Sequence, residues 1–222
     1  MKNSKLLTNS WVITLSATLI GVFAAMYLNE WMASRKLTRQ KSIATQNILA
    51  EFQANRDFLE GTLEDHQELL EIMDFLGRYV NEEEDLIAPS VAFNAFQVKF
   101  PDLIRVADST YVAEGIYRYD GEVNLDISFP HFELTTITWD ALKSSGLIAT
   151  FPYECLLHLE TISNITDEVS NRNKELLDYF TGARDSGANN RNLISHLELL
   201  IEYEGALINQ YDSSEEELDE CT

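Results

Sequence analysis

Residues 11–28 read WVITLSATLIGVFAAMYL, and this apolar run determines how the rest of the chain is interpreted. It is the centre of an uncharged stretch of 24 residues between Lys5 and Glu30. At about 1.5 Å of rise per residue, a helix of this length approaches the roughly 30 Å hydrocarbon core of a bilayer. The sequence therefore predicts one transmembrane helix over residues 11–29, preceded by a short tail, residues 1–10.

Side chains suited to a membrane interface flank this run. Trp and Tyr favour the interface because their rings combine an apolar body with a polar atom, and basic side chains extend to the headgroups. The predicted interface anchors are Trp11, Tyr27, Trp31, Arg35 and Lys36. The first predicted partner is thus the lipid bilayer, and the small residues Gly21, Ala24 and Ala25 would let a second span approach closely.

A cleaved secretory signal is the alternative interpretation of the N-terminus. Lys2 and Lys5 form a small basic start, and Val22-Phe23-Ala24 resembles a weak cleavage site. The apolar core is long for a signal, however, and the helical pattern continues past Glu30. We therefore prefer a permanent single-pass anchor.

Charge is distributed unevenly along the chain. The formal net charge is −21, but residues 1–41 hold six basic residues and one acid, whereas residues 42–222 hold ten basic residues and 36 acids. A body this acidic repels phosphate backbones, so no nucleic-acid partner is predicted. Four basic residues follow the span and two precede it, so the positive-inside rule slightly favours a cytoplasmic body in a bacterial inner membrane. A short basic tail retained in the cytoplasm is compatible with the reverse orientation.

The fold class predicted for the body, residues 30–211, is a mainly α antiparallel helical bundle. Residues 30–80 are predicted to form one long first helix, either a stalk or, as we prefer, a bundle helix. Its stripe of apolar or tolerant positions at steps of three and four is Leu49, Phe52, Leu59, Leu63, His66, Leu70, Met73 and Val80. Similar stripes predict a helical hairpin from residues 153–181 and 190–211, with Thr166 and Asn173 as polar breaks in the first stripe. Six acids in residues 212–220 predict an acidic, disordered tail, residues 212–222.

The middle of the chain, residues 90–135, is predicted to be irregular and rich in aromatic residues. Short helices are expected at Val91–Val98 and Ser109–Tyr117, and an extended segment at Glu122–Phe129. Aromatic rings provide contact area with few polar groups to satisfy, so Tyr111, Tyr117 and Tyr119 are candidates for a ligand pocket. The preferred alternative is that the aromatic residues of this region cap the core of the bundle.

Residues 138–146 contain the start and stop signals of a short helix. Thr138 is expected to cap its first turn, Asp140 suits its positive end, and Gly146 suits the left-handed residue that stops it. Trp139 and Leu142 are three positions apart and would share a face.

The chain resembles a large bacterial family of single-pass membrane proteins of unknown function. In that family an apolar helix leads into an Asn-x-Trp element and Arg-Lys, followed much later by a Trp-x-x-Leu-Lys-x-Ser-Gly turn and a long helix. The matching residues here are Asn29, Trp31, Arg35 and Lys36, then Trp139, Leu142, Lys143, Ser145 and Gly146. This N-terminus is shorter and less basic than is usual in the family, and the acidic end departs from its pattern. The resemblance implies a membrane-anchored helical domain and no particular activity.

A search for catalytic motifs finds no phosphate-binding loop, nucleophile elbow, His-Glu-x-x-His pair or Cys-x-x-Cys. The best metal candidates are His66, Glu154, His158, His196 and Glu198, but none of the four histidines lies three positions after a Glu, as a di-iron bundle requires. Cys155 and Cys221 are too few for a disulfide framework and assign no compartment. Cys155 falls on an apolar stripe, where a thiol behaves as a small hydrophobe, and Cys221 lies in the acidic tail. No metal, cofactor or enzymatic activity is predicted.

The sequence thus favours a membrane-anchored interaction protein, a scaffold or accessory subunit that binds a protein partner or a second copy of itself. The first alternative is a bundle-type sensor that couples binding to its membrane helix. A metal-dependent enzyme is the last alternative.

Overall fold

The structure is a computed structural model that describes residues 10–81, 83–124, 134–180, 190–219 and 221. Over these ranges it is mainly helical with one small sheet, which confirms the predicted fold class. In chain order the elements are α1 (Ser10–Tyr79), β1 (Leu86–Pro89), α2 (Ser90–Lys99), β2 (Ile104–Ala113), β3 (Ile116–Val123), α3 (Ile137–Ser144), a 3₁₀ turn (Leu147–Thr150), α4 (Tyr153–Phe180) and α5 (Asn190–Asp219).

Helix α1 is continuous for 70 residues, because its sequence contains no proline to interrupt the backbone ladder. Its described side chains are exposed up to Gln40. Burial then recurs at heptad steps, at Thr45, Ile48, Phe52, Asn55, Leu59, Thr62, His66 and Leu69. The long first helix is confirmed, and its second part belongs to the bundle.

The exposed N-terminal part of α1 is long and apolar enough to span a bilayer. Length and composition alone carry this finding, and a signal segment near an N-terminus satisfies the same criteria. Most of the predicted tail, residues 1–10, lies outside the described residues.

Helices α1, α4 and α5 form a bundle with coiled-coil spacing on each helix. On α4 the buried stripe is Cys155, Leu159, Ile162, Thr166, Val169, Asn173 and Leu176. On α5 it is Leu197, Leu200, Glu204, Leu207, Tyr211, Ser214 and Leu218. Steps of three and four keep one face directed at the neighbouring helices, so the three stripes share one core. Contacts from Asn55 to Tyr211 and from Cys155 to Cys221 show that α5 is antiparallel to both partners.

A small α/β unit, the distal module, covers the end of α1 away from the predicted span. The module consists of β1, α2, β2 and β3, with the sheet in the order β1-β3-β2 and all pairings antiparallel. Its core joins Phe75 of α1 to Leu86, Phe93, Phe96 and Ile104. The rings of Phe75 and Phe96 stack with centroids 3.8 Å apart, and Lys99 of α2 pairs with Glu71 of α1. The module is therefore anchored on the last turns of the long helix.

Two predictions for the middle region are wrong. Residues 90–123 are not irregular, and Ser109–Tyr117 is not a helix but part of a hairpin in which Tyr111 pairs with Tyr117. Thr110, Tyr111 and Val112 favour a strand, and Gly115 supplies the positive φ of 72° for the turn. The predicted helix at Val91–Val98 is confirmed as α2, whereas most of the segment Glu122–Phe129 lies outside the described residues.

The prediction of a disordered acidic tail is also wrong. Helix α5 continues through the acidic run to Asp219, and Ser214, Leu218 and Cys221 are buried. These positions extend the stripe of Leu207 and Tyr211 by the same steps of four and three. Asp212 and Glu215 to Glu217 are exposed on the opposite face, so the described part of the run is amphipathic rather than uniformly solvated.

Candidate functional site

The predicted interface anchors lie on the part of α1 that no other described element covers. Trp11, Tyr27 and Trp31 are 63%, 70% and 45% exposed. The guanidinium carbon of Arg35 lies 3.9 Å from the centroid of the Trp31 ring, a cation–π contact that orients both side chains. Lys36 is exposed on the next position. This distribution is compatible with a membrane interface, which remains a prediction.

The second group of motif residues, from Trp139 to Gly146, attaches α3 to the bundle, and we call this attachment the α3 joint. Trp139 and Leu142 are both buried in the main core, as their spacing predicts. Lys143 pairs with Asp140 at 2.9 Å and lies 5.4 Å from the ring of Trp139. The side chain of Ser145 donates to the carbonyl of Leu142 at 2.9 Å, and Gly146 has the expected left-handed conformation, with φ of 73°.

The expected helix cap at Thr138 is wrong. The residue before the helix is Thr136, and its side chain makes no capping bond to the backbone. The backbone N–H of Thr138 instead donates to Glu51 of α1 at 2.8 Å. A carboxylate from another helix therefore satisfies an N-terminal donor of α3 and fixes α3 on α1.

The three candidate pocket tyrosines form a row on one face of the sheet rather than a shared pocket. Tyr111 and Tyr117 meet edge to face at 5.9 Å, and Tyr117 lies 6.4 Å from Tyr119. Tyr119 stacks on Phe93 at 3.8 Å, and its partial burial raises its pKa. The row runs from this inner end to the exposed Tyr111 on the hairpin.

An open groove of about 870 Å³ lies where α1, the sheet and α5 meet. Of the three tyrosines, Tyr119 lines it, and Arg78, Asp74 and Glu84 contribute charges. The guanidinium of Arg78 is already paired with Asp74 at 2.6 Å. The groove is thus a mixed polar surface and not the aromatic pocket that the sequence suggested.

The candidate metal ligands are dispersed along the bundle. Among the described residues, no group of three or more His, Cys, Asp or Glu side chains converges on one point. His158 contacts Glu217 at 2.8 Å and Ser214 at 3.1 Å, while the ring of His196 packs beside Tyr179 at 5.3 Å. His66 lies elsewhere, in the centre of the bundle.

His66 and Glu204 form a buried ionisable pair between α1 and α5. Their side chains are 1% and 0% exposed, and Nδ1 of His66 lies 3.0 Å from both carboxylate oxygens of Glu204. Burial raises the pKa of Glu204, and the contact with His66 opposes this increase. The pair fixes the two helices at one register, because a slip of either helix would leave the buried carboxyl of Glu204 without its partner.

The pair of His66 and Glu204 forms one buried polar layer of the bundle. A second polar layer lies two to three helical turns closer to the predicted span. The side-chain amide of Asn55 donates to the Tyr211 hydroxyl at 3.2 Å, and this hydroxyl lies 3.1 Å from Thr166 of α4. Burial raises the pKa of Tyr211, whereas its hydrogen bonds to Thr166 and Asn55 oppose the increase. Asn55 also exchanges hydrogen bonds with the backbone of Thr135, the residue that leads into α3. The layer therefore joins all three bundle helices to the α3 joint.

A disulfide between Cys155 and Cys221 closes the end of the bundle nearest the predicted span. The two Cα atoms are 6.0 Å apart, and the residues are separated by 66 positions in sequence. Neither cysteine is free, so the interpretation of Cys155 as a simple core thiol and of Cys221 as part of a solvated tail is wrong. The available signal was the heptad step that places Cys221 three residues after Leu218.

Comparison with known protein families, with curated proteins and with solved structures finds no match to this chain. The resemblance carried by Asn29, Trp31 and the residues from Trp139 to Gly146 consequently remains a prediction. The geometry of the helix, the disulfide and the polar layers has to support any functional proposal by itself.

Proposed function

We propose that this protein is a single-pass membrane scaffold or accessory subunit that holds its distal module away from the bilayer for a protein partner. The observation that carries the proposal is the continuity of α1, which is exposed and apolar in its first part and core-forming in its second. A helix from Glu30 to Tyr79 is about 75 Å long at 1.5 Å per residue. Such a helix would transmit position and orientation from the membrane to the module.

The polar layers support binding rather than catalysis. His66 with Glu204, and Asn55 with Tyr211 and Thr166, are engaged with one another across helix boundaries. Satisfied buried polar contacts select one register of a bundle, and this rigidity suits a spacer. The exposed apolar side chains of the module, Val91, Val98, Tyr111 and Val112, offer contact area for a partner.

We further propose that the body lies on the oxidising side of a bacterial inner membrane. Structural disulfides persist in oxidising compartments and are rare in the reducing cytoplasm, so the pairing of Cys155 with Cys221 favours an exported body. This is opposite to the orientation that the positive-inside count favours. The margin of that count is two residues, and a short N-terminal tail with Lys2 and Lys5 can remain in the cytoplasm.

Labelling at Val98 tests this orientation. Val98 is 84% exposed on α2, and Val98→Cys adds one thiol while the native pair remains in its disulfide. A membrane-impermeant maleimide, added to cells with a permeabilised outer membrane, is expected to label this variant before lysis. The unsubstituted chain serves as the control and should stay unlabelled. Labelling of Val98→Cys only after lysis, together with reactive native cysteines, would place the body in the cytoplasm.

Partner recognition is tested with the tagged full chain extracted from its native membrane in mild detergent. We expect a stoichiometric protein partner that is lost in Tyr111→Ser with Val112→Ser, because both side chains are exposed on the hairpin. The matched control is Leu199→Ser, which changes a 40% exposed side chain on the bundle. Equal recovery with both variants would contradict recognition by the module.

A sensor is the second candidate, because the same continuity of α1 could carry a signal to the membrane helix. A glycine pair, Ala33→Gly with Ser34→Gly, discriminates the two functions. Glycine loosens an exposed helix by about 1 kcal/mol per residue. A scaffold should still bind its partner and complement a deletion strain, whereas a sensor should bind but fail to complement.

A further inference from the structure

The segment of α1 between the apolar run and the bundle carries a basic face, which we call the collar: Trp31, Arg35, Lys36 and Arg39. All four side chains are exposed, and the bundle begins only after them. Within the described parts of the chain, Arg35, Lys36 and Arg39 form no ion pair, although the chain has 37 acidic residues. The cations of the collar are therefore available to a ligand outside the chain.

The collar residues lie on one side of the helix. At about 100° per residue, Arg39 lies about 40° and Lys36 about 100° from Arg35, while Trp31 lies about 40° on its other side. Ser42, about 20° from Arg35 on the side of Trp31, falls within the same sector. Lys41 points elsewhere, and its ammonium lies 5.1 Å from the ring of Phe151 in the body.

The collar extends from the headgroup layer of a bilayer into the water beyond it. Arg35 is seven residues and Arg39 is eleven residues beyond Leu28, or about 10 and 16 Å along a helix axis. The headgroup region extends about 5–8 Å beyond the hydrocarbon edge, and long basic side chains reach back towards it. Trp31, which contacts Arg35, lies at the depth that interfacial tryptophans favour.

Charge selects the kind of surface that the collar fits. The body that follows, residues 42–222, carries 26 more acids than basic residues, so an anionic membrane repels it and attracts only the collar. We propose that the collar binds the phosphate headgroups of anionic phospholipids, an inference that rests on the membrane span proposed above. The opposed forces would hold the bundle upright on the bilayer. Lipid binding would also explain the basic residues after the span without a cytoplasmic body.

Quenching of Trp31 by brominated lipids tests the proposal in the full chain reconstituted in vesicles. Trp11→Phe removes the tryptophan at the start of the span, and Trp139 is buried in the core, where lipid bromines do not reach. In mixed vesicles, brominated phosphatidylglycerol is compared with brominated phosphatidylcholine at equal mole fraction. We expect the anionic lipid to be about fivefold enriched around Trp31, the ratio that corresponds to about 1 kcal/mol, the attraction of one basic residue to an anionic surface.

Arg35→Gln with Lys36→Gln and Arg39→Gln removes all three cations of the collar and should reduce this enrichment to about one, whereas Lys41→Gln, outside the collar, should retain it. Quenching by both lipids to the same extent in the unsubstituted collar would overturn the proposal and leave the membrane span intact. Quenching by neither lipid would instead refute the span. Loss of the preference on addition of soluble glycerol phosphate would show a free phosphate site and would also overturn lipid binding.

Discussion

Replacing both cysteines, Cys155→Ala with Cys221→Ala, is expected to lower the free energy of unfolding by about 2–4 kcal/mol. The disulfide closes a loop of 66 positions, and a loop of this size restricts the unfolded chain strongly. It also holds the last turn of α5, where three consecutive acids, Glu215 to Glu217, repel one another and the negative end of the helix dipole. Urea unfolding of the full chain in detergent micelles, followed by circular dichroism, measures the change.

Reduction provides the control for this experiment. A reductant should lower the urea midpoint of the native chain to that of the double variant and leave the variant itself unchanged. Because the bond joins the end of α5 to the start of α4, hydrogen exchange should increase first in the last turns of α5, near Ser214 and Leu218. A native midpoint that is insensitive to reductant would contradict a stabilising disulfide.

Much of the helical architecture follows from local sequence patterns. The absence of proline from residues 10–79 and the stripes of α4 and α5 are sufficient to predict three long helices. Gly146 and the pair of Trp139 and Leu142 are sufficient to predict α3. These features depend on residues that are close to one another in the sequence, and a sequence pattern detects only such short separations.

The errors arise where a polar residue occupies a core position. On α1 the predicted stripe included Leu49, Leu63 and Leu70, which are only partly buried, whereas Asn55 and Thr62 are buried at 6% and 4% exposure. On α4, Thr166 and Asn173 were interpreted as breaks but belong to the stripe. Their burial depends on partners that are distant in sequence, such as Tyr211 for Asn55. A pattern that counts only apolar residues cannot detect such pairs.

The distal module shows the same limit for strands. The short helix expected at Ser109–Tyr117 is instead the end of β2 and the start of β3. The register of β2 on β3 and the packing of Tyr119 on Phe93 decide the conformation. β-structure depends on such cross-strand contacts more than on intrinsic preference.

Substitution of His66 by leucine is expected to have the largest effect of any single change in the bundle. His66→Leu leaves the carboxyl of Glu204 buried without its partner, and removal of one member of a buried pair costs about 3–5 kcal/mol. His66→Leu combined with Glu204→Leu should recover most of this loss, because two leucines at facing positions extend the apolar stripe. A double-mutant cycle from urea unfolding in micelles separates the coupling from the single effects. Additive losses would show that the two side chains do not depend on each other.

The pH dependence of the pair has a defined sign. Burial raises the pKa of Glu204 in the folded chain above its usual value of 4.5, so the folded state binds this proton more tightly than the unfolded state. The resulting contribution to stability is complete below pH 4.5 and is lost as the pH rises through the raised pKa. Glu204→Gln resembles the protonated carboxyl and cannot titrate. The free energy of unfolding of the native chain, measured relative to this variant, should therefore increase as the pH falls from neutrality towards 4.5. A difference that stays constant or decreases over that range would show that the carboxyl is ionised in the core and that His66 outweighs the cost of burial.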